Sequence, residues 1–187
     1  MPSIFGLAGP QFGLVDCQIA KNNLNGTFGT EEDVPSVQLL DVKYNTTTAN
    51  LEGDDTITAV QARAISAEVT LRFGSIKQEV LEIITGETLD ESGATPNRRN
   101  RLKFDGAPGF PWFALCGRAD AAEDAISATL VFIPKLKCTS GFAVRMEYGA
   151  FSIPEITAIA VKDPDYGCFF EVTEYETAPV VTIPPQA

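Results

Sequence analysis

Residues 63–86 read RAISAEVTLRFGSIKQEVLEIITG. The first half alternates: Ile65, Ala67, Val69, Leu71 and Phe73 fall on one side, and Ala64, Ser66, Glu68, Thr70 and Arg72 on the other. A period of two belongs to a strand with one buried and one wet face. The period then changes. Ile76, Val80, Leu81, Ile83 and Ile84 recur at helical spacing. Ser75 stands where an N-cap belongs, Gln78 is its capping-box partner, and Gly86 takes the left-handed C-cap position. The stretch predicts a half-exposed strand that feeds directly into a flanking helix over about residues 75–85, from Ser75 to Thr85. It is the only convincing helix in the sequence.

The segment before it has strand character too. Residues 37–50 put Leu40, Val42 and Tyr44 on one face, and the continuation NTTTANLEGDD is polar and turn-rich. Residues 56–73 then return as a long strand. The flanks predict a long β-hairpin whose polar tip extends past the core. Two such strands are not stable alone and must lean on a sheet or on another subunit.

Further upstream, MPSIFGLAGPQFG is apolar and broken by Gly and Pro, which predicts an irregular arm over about residues 1–13. Residues 14–20 predict a first strand, and residues 21–36 a polar loop with an acidic run at Glu31, Glu32 and Asp33. Downstream, residues 87–97 read as loop, and Arg98, Arg99, Arg101 and Lys103 form a short basic cluster. Residues 125–133 are apolar on both faces and predict a central strand that Pro134 ends. Residues 142–148 and 151–161 predict further strands, and DPDYG at residues 163–167 a tight turn into a last strand at residues 168–174. The tail, about residues 177–187, is proline-rich and therefore extended, either free or laid along a neighbour. These elements predict one domain over residues 1–187. Its class is mostly β (α+β): a β-sandwich or barrel with one flanking helix and a long protruding hairpin.

The chain has 187 residues. A domain of that size buries roughly 70% of its unfolded surface and needs neither disulfide nor metal to fold. Its net charge is −11, and it contains no histidine. The missing histidine removes Ser-His-Asp and Cys-His catalysis and makes a zinc enzyme a poor reading. Acidic flanks around a near-neutral middle lack the basic stripe of a nucleic-acid binder. Cys17, Cys116, Cys138 and Cys168 show no CxxC spacing and read as small buried hydrophobes in a reducing compartment. No apolar run reaches the roughly 18 residues of a membrane helix.

No catalytic residue, cofactor or metal site is expected. Glu52, Asp54 and Asp55 could ligate a hard cation, but they lack EF-hand spacing, and acidic tips are commonly solvated. Asp163 and Asp165 read first as turn residues. Glu68 and Glu79 would suit glycoside hydrolysis only if brought together; Glu68 falls on the wet strand face and Glu79 on the outer side of the helix. Trp112, Phe110 and Phe113 could form a ligand platform, although packing is the commoner use. The basic cluster is either a solvated face or a patch complementary to an acidic loop of another copy.

The order of these motifs is more specific than any one of them. There is a long hairpin with a GDD tip, then AEVTLRFG passing into a helix that ends ITG. PWFALCGRAD, TLVFIPKLK and YGAFSIPEITAIAV follow. Over most of residues 37–161 the chain resembles the tail-tube (major tail) proteins of long-tailed bacteriophages. The resemblance implies a non-enzymatic virion subunit that forms hexameric rings stacked into a tube for DNA ejection. It implies that Tyr44, Asn45, Thr46, Thr47, Thr48, Asn50, Glu52, Asp54 and Asp55 form the loop reaching the adjacent ring, with the N-terminal arm and C-terminal tail as further contacts. Glu68, Thr70 and Arg72 would face the lumen or a neighbouring subunit. The implied partners are further copies of the chain, tail terminator and baseplate or tip proteins, and a tape-measure protein in the lumen. Genomic DNA would pass through without specific binding. The implied location is the virion tail, assembled in the bacterial cytoplasm, with no membrane insertion. The alternative is a β-sandwich binding module of capsid-decoration or lectin type, with a pocket near Trp112.

Overall fold

The alternating stretch is a strand. In the computed structural model, which describes residues 11–53, 56–75, 77–106, 109–121, 127–140, 147–149 and 153–184, it forms the end of β4 (Thr56–Phe73). The other strands are β1 (Gln11–Lys21), β2 (Glu32–Asp33), β3 (Val37–Gly53), β5 (Leu89–Ser92) and β6 (Arg99–Leu102). They are followed by β7 (Trp112–Ala121), β8 (Ala128–Cys138), β9 (Glu155–Ala160) and β10 (Glu171–Tyr175). One helix, α1 (Gln78–Thr85), lies among the described residues. The fold is mostly β. Eight strands form one antiparallel sheet in the order β2-β1-β7-β8-β9-β4-β3, with β10 beside β8, and β5 and β6 form a separate hairpin.

The sheet curls on itself. β1 and β3 come into contact but share no ladder, so the barrel is left open along that seam. Ala67, Val69, Leu71 and Phe73 point into the interior, where they meet Cys17, Ile19, Phe113, Leu115, Ile133, Leu136 and Ile156. Ile65 shares their parity but is 59% exposed. The seam is tight near Gly117, where an added Cβ would stand 2.6 Å from Leu40 Cδ2. A glycine there lets β3 approach β7 across the interior.

α1 closes one end of this interior with Val80, Leu81 and Ile84. It starts later than the sequence predicts. Lys77 is the N-cap residue, extended and without a side-chain cap, and Ser75 does not cap. The Gly74 N–H still donates to Ser36 O at 2.8 Å, so the chain is tied to the entry of β3 where the helix was expected to begin. Lys77 Nζ lies 2.6 Å from Glu32 Oε2 and fixes the helix start against β2; that bond is the main cause of its raised pKa. The C-terminus is as expected: Gly86 has φ 76°, and its N–H donates to Glu82 O at 2.8 Å.

Pro134 does not end the central strand. β8 runs on to Cys138. Phe113 pairs with Leu136 and Leu115 with Ile133, so β8 carries one extra residue where Pro134 sits. A proline at a bulge forfeits no ladder hydrogen bond. The other side of β8 changes partner at the same place, from β10 over residues 128–132 to β9 over residues 136–138. The freed Pro134 carbonyl accepts a 2.8 Å bond from Asn22 Nδ2.

The outer face of β1, β7 and β8 carries a second cluster, in which Ala20, Ala114, Cys116, Leu130 and Phe132 are covered by Val181 and Ile183. The tail is extended, as expected, and through residue 184 it lies along its own subunit. Arg118 Nη1 donates to Pro179 O at 2.7 Å, and the Tyr166 hydroxyl donates to Pro184 O at 2.8 Å.

Two smaller differences follow from pairing. Residues 21–36 are not all loop, because β2 pairs with β1 at Ile19 and Gln18. Residues 87–97 contain β5, which pairs with the basic cluster. The strand expected at residues 142–148 falls mostly outside the described residues.

Candidate assembly surfaces

The long hairpin is a supported base plus a free ribbon. β9 pairs with β4 only over residues 67–72. Beyond that point, residues 45–53 and 56–66 pair only with each other among the described residues. At about 3.3 Å per residue the ribbon reaches roughly 30 Å past the sheet. Its root is clamped on one side by Tyr44, whose ring centroid lies 4.8 Å from that of Phe170 and 6.2 Å from that of Phe169. Across the root, Asn45 Nδ2 donates to Ser66 Oγ at 3.2 Å.

A bulge sits at this root. Asn45 pairs with Ser66 and Thr46 with Ala64, so Ile65 has no partner across the ladder. A bulge bends and twists the strand that carries it. It also stands where β9 has ended, which is why Ile65 escapes the core despite its parity.

The expected tip loop is therefore largely strand. Tyr44 is at the base. Asn45, Thr46, Thr47, Thr48 and Asn50 lie on β3, the backbone of Glu52 is near its end, and Asp54 and Asp55 lie outside the described residues. Threonines facing a β4 segment rich in Ala, Val and Ile suit a pleated pair, and they outweigh the turn preference of the two asparagines. The ribbon exposes Val60 at 64%, and its outer edges meet no other strand among the described residues. Unpaired edges of this kind are templates for another chain.

Glu68, Thr70 and Arg72 do share the outer face of β4. Glu68 stands between Lys43 and Ile159, Thr70 between Asp41 and Thr157, and Arg72 between Leu39 and Glu155. Arg72 Nε donates to Glu155 Oε2 at 2.9 Å. This half of the outer sheet is a polar wall of alternating charge, whereas the β1–β7–β8 half lies beneath the tail.

The basic cluster is not a uniform patch, because β5 interleaves its own acids. Arg98 Nη2 lies 2.6 Å from Glu91 Oε2, and Arg99 Nε donates to Ser92 Oγ at 2.9 Å. Arg101 pairs in register with Asp90. Arg101 and Lys103 line a cleft of about 330 Å³ with Glu87, Asp90 and Asp105. The sequence spacing hides these acids, which are brought opposite only by the hairpin.

Trp112 is not an open platform. Lys135 Nζ and Lys137 Nζ lie 5.1 and 5.3 Å from its ring centroid, within cation–π range. Phe113 is core, and Phe110 packs against the core. Asp163 is a turn residue: its Oδ1 accepts the N–H groups of Asp165 at 2.8 Å and Tyr166 at 3.3 Å. Among the described residues no three His, Cys, Asp or Glu side chains gather where a metal ion could sit. No helix among them is long and apolar enough to cross a membrane.

The four cysteines are free thiols. Cys17 and Cys116 are on neighbouring strands but belong to the two clusters on opposite faces of the sheet, so their sulfurs cannot meet. Burial raises the Cys17 thiol well above its ordinary value and pushes Cys116 up to about 12. The thiolate is the reactive form. Titration of the native protein with an aromatic disulfide reagent at neutral pH is expected to modify Cys168, which is only half-buried, well before the other three. All four should react within minutes in denaturant. Rapid modification of Cys17 or Cys116 in the folded protein would contradict this packing.

A curled antiparallel sheet, closed at one end by a helix and extended by a free two-stranded ribbon, defines a mostly-β class with large unpartnered surfaces. No known protein family matches the chain, and no curated protein does. Among solved structures, it is similar to a chain of an extracellular contractile injection system, the PVC sheath–tube complex in its extended state, determined by cryo-electron microscopy. The two share 13% identity over 85% of this chain and 87% of that chain, with a TM-score of 0.39.

Proposed function

We propose that this chain is a self-assembling tail-tube subunit of a long-tailed phage, forming hexameric rings that stack into a conduit for DNA ejection. The observation that carries the reading is the ribbon. A two-stranded ribbon with no described side chain in either buried cluster is marginal in water, and two-edged, Thr- and Ala-rich strands gain most by lying against another copy. The ribbon contacts the next ring, and the polar wall around Glu68, Thr70 and Arg72 faces a neighbour or the lumen. The excess of acid keeps DNA from adhering, because phosphate affinity grows with each Lys or Arg contact. The lack of histidine fits a protein with no chemistry of its own.

The partners in this reading are further copies, terminator and baseplate or tip proteins, and a tape-measure protein within the lumen. The site of action is the virion tail, assembled in the bacterial cytoplasm. Sedimentation velocity over a wide concentration range tests the self-association: growth to ring-sized and larger species is expected, and a single monomer throughout would overturn it.

A further inference from the structure

The outer face of the sheet carries two patches of opposite charge. In the first, Trp112 of β7 stands opposite Lys137 of β8, Lys137 opposite Ile159 of β9, and Ile159 opposite Glu68 of β4. Directly paired residues share a face, so Lys137 has an indole on one flank and an isoleucine on the other. Lys135 has the same parity, and both ammonium groups rest on the Trp112 ring. The ring attracts the two charges but does not neutralise them. Among the described residues neither lysine forms a salt bridge, and Glu68 is two strands, roughly 10 Å, from Lys137. The second patch is at the β2 edge. Asp33 stands opposite Gln18, and Asp16 precedes Gln18 by two residues on β1. Behind burial, Glu31 and then Asp16 raise the thiol of Cys116, which belongs to the outer cluster, so these carboxylates are on the outer face as well. Burial first and the Asp16 carboxylate next hold the Asp33 carboxyl above its ordinary value. Lys77 is engaged by Glu32, and Arg118 by Asp120 and the Pro179 carbonyl. Asp16, Glu31 and Asp33 form no salt bridge among the described residues.

We propose that the patch of Trp112, Lys135 and Lys137 docks the acidic edge of a second copy, formed by Asp16, Glu31 and Asp33. Each patch crowds like charges that its own subunit leaves without a counter-ion, and contact between copies relieves both. Two copies of a chain with net charge −11 repel each other overall, so an association needs a local cationic surface that fixes its register. The spacing matches too. Lys135 and Lys137 are two residues apart on β8, and Glu31 and Asp33 are two apart at the start of β2, which puts both pairs at roughly 7 Å. Exposed ion pairs are weak partly because two long side chains must be ordered. Here the half-buried indole already holds the lysines in place. The patches are different parts of one chain, so contacts made head to tail repeat from copy to copy and close a ring where the rotation allows. This inference rests on the self-association in the tube reading and leaves the ribbon to the contact between rings.

Zero-length carbodiimide coupling of the full chain tests the contact. Unlabelled and isotope-labelled copies are mixed and coupled over a range of concentrations, and the peptides are read by mass spectrometry. The expected result is a mixed-isotope cross-link from Lys135 or Lys137 to Asp16, Glu31 or Asp33. Association without that cross-link overturns the docking and leaves the tube reading standing. The cross-link with growth that stops at a dimer supports the docking and overturns the ring. A monomer at every concentration overturns both. Charge exchange supplies a second reading. Lys135→Glu with Lys137→Glu, and separately Glu31→Lys with Asp33→Lys, should each weaken association at least about tenfold, and all four together should restore it to within about threefold of the wild type. Circular dichroism checks each fold, and the cross-link needs no variant. Double variants that associate as the wild type does, or a folded quadruple variant as weak as the doubles, overturn the docking. If the lysine double variant loses single-stranded oligonucleotide binding and keeps self-association, the patch belongs to phosphate groups and the docking is overturned as well.

Discussion

Replacing residues 47–63 by a two-residue Asn-Gly turn should leave a folded subunit that no longer builds tubes. Thr46 and Ala64 face each other across the ladder, so the turn closes the hairpin at an existing pair, and Asn-Gly suits a two-residue connection. None of the ribbon's described side chains belongs to either buried cluster. Its removal should therefore shift stability by no more than about 1 kcal/mol, the scale set by cross-strand pairs. Circular dichroism and the denaturant midpoint check the fold, and electron microscopy checks assembly. A shortened protein that still forms tubes would place the inter-ring contact elsewhere.

The second large effect concerns the other end of the same strand. Phe73→Ala should cost about 3–5 kcal/mol, the range for removing a buried aromatic ring. Phe73 is completely buried beside Leu71, Val80 and Ile84, and its N–H donates to Pro154 O at 3.2 Å. A domain of this kind has only ~5–15 kcal/mol of stability to lose. Ile65→Ala, four pairs along on the same alternating face, should stay within about 0.5 kcal/mol. Urea denaturation of both variants measures the contrast. Similar costs at the two positions would mean that the ribbon root is packed in solution in a way this fold does not provide.

That contrast marks what could be read in advance. Val69, Leu71 and Phe73 are inward because strand periodicity is local, and Gly86 caps α1 because a left-handed residue is a local need. Ile65 follows the same alternation, yet its exposure depends on a bulge and on where β9 stops, and neither is written in its neighbours. Pro134 is a similar case: whether proline ends a strand depends on the register of β7 opposite it. Ser75 has a good capping sequence, yet the helix starts after Lys77, and the Gly74 N–H is tied to Ser36 O at the entry of β3. The threonines at positions 46–48 look like a loop until β4 is laid beside them.

The candidate surfaces were legible to differing degrees. Glu68, Thr70 and Arg72 share a face because they share a strand. The pairing of Arg98 with Glu91 required the β5–β6 hairpin, which the turn containing Gly93 and Pro96 conceals. The tail held its own clue, since Val181 and Ile183 are spaced to present two apolar side chains on one side. Its anchors, Arg118 and Tyr166, are distant in sequence and visible only in the fold.

Negative-stain electron microscopy of the purified chain at high concentration tests the central claim most directly. Rings with a central hole are expected, with short tubes of stacked rings among them. A field of separate compact particles, from protein whose ribbon is intact, would contradict it.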